Sequence, residues 1–287
     1  MPVGFSNITK MVDAQVSDGK IQYSTFRKVP ANTTQAGTWA DMSMAPGNPR
    51  PNYYVGAELE ATLFNGKYGI YHGQDVGSSS SKHLSKFMML STTAIGAPTT
   101  HLLMDYLLFY SFIDMDSTDP QDFINTVTLP RYTTGKGVKA MLVAVGAYIG
   151  GAQFYITYTN SDGVASRVSQ TMTSNTSTRV GTLVTGGDNG SGRYGPFIAL
   201  QAGDVGIRSV EQITFTSPNG GLAALVLVYP LANHHITELT AAAEQDFFIN
   251  MPSMPRVYDG AYLNFITLAT GSLASVPLLG DATFIWS

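Results

Sequence analysis

The chain has 287 residues, of which 44% are hydrophobic and only 13% charged, with no cysteine and a formal net charge of −4. The missing cysteine excludes disulfides, thiolate nucleophiles and thiolate metal ligands, and the charge gives no electrostatic reason to expect nucleic acid as a partner. So few charges leave much of the surface to Gly, Ser, Thr, Asn and apolar side chains, and other subunits are expected to cover part of it.

Residues 1–20 lack the basic start and apolar core of a secretory signal. The longest apolar-rich stretch, 102–113, is too short to span a bilayer and carries Asp105. The expectation is a protein made in the cytoplasm, soluble at first and without a membrane partner.

Ser6 is placed to cap a short helix through Val16, with Met11, Val12 and Val16 on one side and Ser17-Asp18-Gly19 ending it. Residues 21–26 read as a strand with Ile21, Tyr23 and Thr25 on one face. Pro46, Pro49 and Pro51 make the next segment extended and keep it out of the middle of a sheet. It is either a rigid loop or a segment lying across a neighbour. Residues 1–56 are therefore set apart as an N-terminal arm with a Pro-rich extension, and 57–287 as the body, with room for two packed β modules.

Within the body, 57–64 and 67–71 flank Asn65-Gly66, a hairpin signal, and 77–81 is a Gly-Ser tip. Residues 87–91 and 102–113 read as strands, and 120–125 as one helical turn. Residues 135–173 then suggest a three-stranded meander. Its first strand, 138–145, is apolar on both faces, which suits the middle of a sandwich. In its second, Phe154, Ile156 and Tyr158 alternate with polar or amphipathic neighbours. Further strands are expected at 178–185 and 197–200, with a loop tip at 186–192, and a hairpin joins 213–216 to 222–229 through Pro218-Asn219-Gly220-Gly221. Ala and Glu make 237–245 the best helix candidate. The tail returns to strands at 262–267 and 282–286, and the rings of Phe284 and Trp286 require the last one to be docked. The fold class is all-β, sandwich or jelly-roll-like, with short helical segments and extended arm and loops.

Signals for chemistry are weak. Asp114, Asp116, Asp119 and Asp122 form the densest acidic cluster, but it lacks the Gly and the closing Glu of a calcium loop. Turn and helix capping around Pro120 explains it better, and no metal is expected. His72, His83, His101, His234 and His235 show no zinc spacing, and turn or surface positions fit them. The neighbours His234 and His235 point to opposite faces of an extended chain. Glu58 and Glu60 are strand-spaced, but two carboxylates must face each other across a substrate to act as a glycosidase pair. No nucleophile elbow or phosphate loop is present. No cofactor and no enzymatic activity are expected.

Four stretches carry a family likeness. Trp39-Ala40-Asp41-Met42-Ser43-Met44-Ala45-Pro46-Gly47-Asn48-Pro49 leads into Tyr53-Tyr54, and Asp105-Tyr106-Leu107-Leu108 precedes Phe112-Ile113-Asp114. Leu129-Pro130-Arg131-Tyr132 opens the central stretch, and Pro255-Arg256-Val257-Tyr258-Asp259-Gly260-Ala261 opens the tail. Together they resemble virion structural proteins of tailed bacteriophages. The resemblance spans most of the chain and implies a β-rich particle component, with no catalytic residues to carry over. The first expectation is a capsid decoration or cement protein that binds the major capsid protein or other virion proteins between capsomers, as a homotrimer. A tail, fibre or baseplate component that touches the host surface is the alternative, although the chain lacks the repetitive shaft of a fibre. A carbohydrate-active enzyme is the third reading.

Overall fold

A computed structural model describes residues 4–93, 98–176, 179–185, 195–249 and 254–287. One helix, α1 (Ile8–Val16), precedes β1 (Ile21–Lys28), β2 (Trp39–Asp41), β3 (Gly47–Asn48), β4 (Ala61–Leu63), β5 (Lys82–Ser91), β6 (Thr99–Asp114) and β7 (Gln121–Asp122). There follow β8 (Lys139–Ala144), β9 (Gln153–Asn160), β10 (Arg167–Val168), β11 (Met172–Thr173), β12 (Ile207–Phe215), β13 (Leu222–Ile236), β14 (Ala243–Asp246), β15 (Arg256–Val257), β16 (Tyr262–Leu268) and β17 (Leu278–Trp286). The all-β expectation is met: these strands form three antiparallel sheets.

The central sheet runs β2-β16-β6-β13-β8, with β4 also on β6. Its long members β6 and β13 pair from Leu222↔Asp114 to Ile236↔Thr99. The first sheet runs β14-β5-β17-β1-β3, and the third runs β10-β9-β12-β7. Side chains of β6 show how they stack. Leu103 points into a core shared with Phe26, Phe87 and Phe284 of the first sheet. Tyr110 and Ile113 point into a core shared with Phe154, Ile156 and Phe215 of the third. Met104, Tyr106 and Phe109 face the other way, under Tyr54, Phe64 and Leu183. Register shifts along β6–β13 keep the alternation in step with these cores. One face of the central sheet therefore carries both outer sheets side by side, and irregular segments cover its other face. Burial on both faces explains the unbroken apolar runs of β8 and β13.

Several strands lie where expected: 21–26 in β1, 87–91 in β5, 102–113 in β6, 262–267 in β16 and 282–286 in β17, which is docked between β5 and β1. The helix is also present, but Asn7 caps it by accepting from the Lys10 N–H (2.8 Å), not Ser6. Met11 and Ala14 are its buried residues, whereas Val12 and Val16 face solvent with Ile8.

The corrections share a physical cause: turn chemistry is local, and the strand a turn leads to is not. Only half of the 135–173 meander forms: β9 pairs with β10 and β11 beyond the 160–163 turn, but β8 belongs to the central sheet and β9 to the third. The turn at 218–221 likewise joins β12 of the third sheet to β13 of the central one, so it is a corner and not a hairpin. Asn65-Gly66 makes no hairpin either. Asn65 caps a 3-10 turn through the Lys67 N–H, and a Cβ on Gly66 would stand 2.4 Å from the Gly260 carbonyl oxygen. Residues 237–245 are not helical. Thr240 has a φ of 59°, and 243–246 add a strand to β5, where pairing outweighs helix propensity. Residues 120–125 hold β7 in place of a helical turn. The strand expected at 197–200 reduces to isolated hydrogen bonds such as Ile198 N–H to Ala140 O (2.8 Å). That at 178–185 reduces to single bridges at Thr182 and Leu183. The expected tip at 186–192 lies outside the described residues.

Candidate functional site

Four groups of polar side chains sit inside this apolar frame. Asp41, at the end of β2, is buried beneath the central sheet. Its carboxylate accepts from the hydroxyls of Ser43, Tyr54 and Tyr106 (2.7 Å for Tyr106) and from the Ser43 N–H (2.9 Å). Burial pushes its pKa above the ordinary carboxylate range, and these hydrogen bonds oppose the shift. Close by, Lys28 alternates inward with Phe26 along β1 and is fully buried. Its ammonium donates to the carbonyls of Ala45 (3.0 Å) and Pro49 (2.7 Å), and burial lowers its pKa to about 8. The Pro-rich segment is thus held from within.

On the opposite face of β6, Asp105 accepts a bidentate pair from Arg131, 2.7 Å at each oxygen. Burial drives the Asp105 pKa up, and the guanidinium pulls it back. Beside it Tyr132, at a φ of 50°, stacks on Tyr229 at 3.8 Å.

The third group lies behind the loop that precedes β5. Lys82 donates to His72 Nδ1 (3.0 Å) and to the Gln74 carbonyl (2.7 Å), and pairs with Asp259 at 3.6 Å. That leaves Nε2–H of His72 to donate to Ala261 O (3.1 Å), so the ring is neutral. Burial lowers the His72 pKa to about 4, and the neighbouring Lys82 charge adds to the shift.

The fourth group corrects the surface placement of the histidines. His72, His101 and His234 are buried. His101 lies between the hydroxyls of Thr99 (2.9 Å) and Thr267 (2.8 Å), its ring 6.3 Å from that of His234. Burial lowers its pKa to about 3. His234 and His235 do take opposite faces, the first buried and the second exposed.

The acidic stretch is occupied with turns. Asp114 accepts from the Asp116 N–H (2.9 Å), Asp116 from the Gly220 N–H (3.2 Å) and Asp122 from the Gln212 amide (2.7 Å). Among the described residues no three His, Asp or Glu side chains are grouped to hold a metal. Glu58 and Glu60 are separated by Leu59 at a φ of 54°, which interrupts strand alternation, and Glu60 accepts from Thr126 (2.6 Å).

The surface carries two apolar features. In 53–64, Tyr54 and Phe64 point inward with their rings 6.0 Å apart, so Tyr53, Val55 and Leu63 face outward, with Val55 76% exposed. Elsewhere on the surface, Arg50 lies over the Tyr68 ring at 3.4 Å. On α1, Ile8, Val12 and Val16 form an exposed stripe at a spacing of four. Sequence reading marked the N-terminal arm and the Pro-rich segment up to Tyr54, but not Val55 or Leu63, and it missed Lys28 and Lys82. Their only sequence signal is that they fall on the inward alternation of their strands.

No family model and no curated protein matches the chain. Among solved structures, the chain in "The 2.6A structure of Infectious Bursal Virus Derived T=1 Particles" is similar at 10% identity, with 92% of this chain and 77% of that chain covered and a TM-score of 0.15. A TM-score of that size is no basis for an assignment. No described helix is long and apolar enough to cross a membrane.

Proposed function

We propose that this chain is a non-enzymatic structural component of a tailed-phage particle, and that it decorates the head by binding capsid protein between capsomers as a trimer. The observation that carries the reading is an apolar surface on a segment anchored from beneath. Tyr53, Val55 and Leu63 face solvent, while Lys28 holds the preceding backbone at Ala45 and Pro49 and Asp41 holds Tyr54 from within. A segment fixed by proline and internal hydrogen bonds loses little entropy on docking. Interface cores are depleted in charge, as this patch is. Repetition around a closed ring multiplies a modest affinity through effective concentration. The stripe on α1 supplies a second contact.

The test adds purified protein to empty heads that lack it and reads co-sedimentation and the shell's melting temperature. The full chain is expected to bind and raise that temperature. Val55→Asp with Leu63→Asp is expected to weaken binding by about tenfold or more, the scale of losing a hot spot, with its own Tm unchanged. Removing residues 1–20 is expected to leave the sheets folded and weaken binding. Equal binding by all three proteins overturns the reading. Immunolabelling confined to the tail replaces it with the tail-component alternative.

A further inference from the structure

Where β1 begins and β17 ends, the loop 71–80 borders an open cavity of about 440 Å³. Tyr71, Trp286, Gln22, Gln74, Asp75 and Ser80 line it. We propose that this cavity binds a neutral sugar, one pyranose residue of a glycan.

The chemistry of the lining selects that class. A pyranose has a flat C–H face and a rim of hydroxyls, so it needs an aromatic surface with donors and acceptors beside it. Tyr71 is 57% exposed and Trp286 is partly exposed, and among the described residues neither ring packs on another ring. The Gln74 amide, the Ser80 hydroxyl and the Trp286 indole N–H make no hydrogen bonds among the described residues. Asp75 spends one oxygen on the Gly260 N–H (3.3 Å) and keeps the other. These groups offer both donors and acceptors to vicinal hydroxyls. Charged side chains are few in the lining: Asp75, and Lys20, which already pairs with Asp18 at 3.3 Å.

The wall is also held in place before any ligand arrives. Lys82, buried behind the loop, fixes the Gln74 carbonyl. The Asp259 carboxylate accepts from the Val76 (3.0 Å) and Gly77 (2.8 Å) N–H groups. Gly73, at a φ of 89°, brings the loop backbone close to Gln22 and Trp286, where a Cβ would stand 3.4 and 3.6 Å from them. The group of buried Lys82 and His72 with half-buried Asp259 thus gains a purpose: it sets the shape of an exposed recognition loop. Small-molecule sites are concave, aromatic and preformed in this way, with few polar groups.

The full chain is titrated with maltopentaose, cellopentaose, chitopentaose and a β-galactan pentasaccharide, and binding is read by tryptophan fluorescence and saturation-transfer NMR. At least one is expected to saturate with a Kd of about 1 mM or tighter. The fluorescence response is expected to survive Trp39→Phe, because Trp286 carries it. Tyr71→Ala and Gln74→Ala alter exposed side chains and are expected to keep Tm. Each is expected to weaken binding by about fivefold, the scale of one aromatic or polar contact. No saturable binding across the panel, or equal binding by the variants, overturns the proposal. Head binding does not depend on this cavity, so either result leaves the assembly reading to its own test.

Discussion

Mild acid is expected to destabilise this protein through its buried imidazoles, and His101 is the residue on which to measure it. Its pKa is about 3 in the fold against a reference of 6.5. Above pH 6.5 the ring is neutral folded or unfolded, and the stability is complete. As the pH falls below 6.5, the unfolded chain binds a proton that the folded one refuses, so stability is lost progressively down to about pH 3. The slope is about 1.4 kcal/mol per pH unit for each such group, which gives about 2 kcal/mol between pH 6.5 and pH 5. His72, with a pKa of about 4, adds a similar loss over the same interval. For 287 residues, at ~2.1 cal/mol/K each, an unfolding entropy of about 0.6 kcal/mol/K converts the pair into a Tm lower by about 7 °C. Asp41 and Asp105, whose pKa values are raised, act in the opposite sense by taking up protons in the fold first. The useful quantity is therefore the difference between wild type and His101→Gln, whose amide can bond Thr99 and Thr267. Scanning calorimetry at pH 7 and pH 5 is expected to show the variant losing about 3 °C less than wild type. Parallel losses in the two proteins refute the reasoning.

Two substitutions test the frame itself. Asp105→Asn leaves the Arg131 guanidinium buried without its counter-charge and is expected to cost about 3–5 kcal/mol in urea denaturation; the double variant Asp105→Leu with Arg131→Met is expected to cost less than either single change. Gly47→Ala would put a Cβ 1.9 Å from the Arg27 carbonyl oxygen at a φ of 135°. It is expected to cost about 3 kcal/mol and lower Tm by about 5 °C.

What could be read from the sequence was periodicity. Phe154, Ile156 and Tyr158 alternate inward along β9 as their spacing requires, and the all-apolar stretch in β8 is buried on both faces. Pairing could not be read. Gly150-Gly151 and Gly220-Gly221 have the turn chemistry of hairpins, and the same chemistry serves a corner that carries the chain from one sheet to the facing one. The end of the Ala-Glu stretch, 243–246, became a strand because the edge of β5 was open to it. The polar sites were hidden for a different reason. Lys28 and Lys82 look like solvent-facing lysines until carbonyls more than a dozen positions away, or a histidine ten positions back, are folded around them. The proposed sugar cavity joins Gln22, Tyr71 and Trp286, and no spacing rule connects those.

The buried charges mark the joints of the architecture. Asp105 and Tyr106 are consecutive on β6 and point to opposite faces. Asp105 binds Arg131 where the cover on its face passes from the first sheet to the third. Tyr106 binds Asp41, which also holds Tyr54 beneath the outward-facing Tyr53 and Val55. A sandwich sharing one long sheet between two shorter ones could slide at that seam if only apolar contacts filled it, because such contacts are non-directional. A bidentate ion pair and a carboxylate with four donors permit one alignment. The chain Tyr54–Asp41–Tyr106 thereby ties the outer segment to the middle of the central sheet.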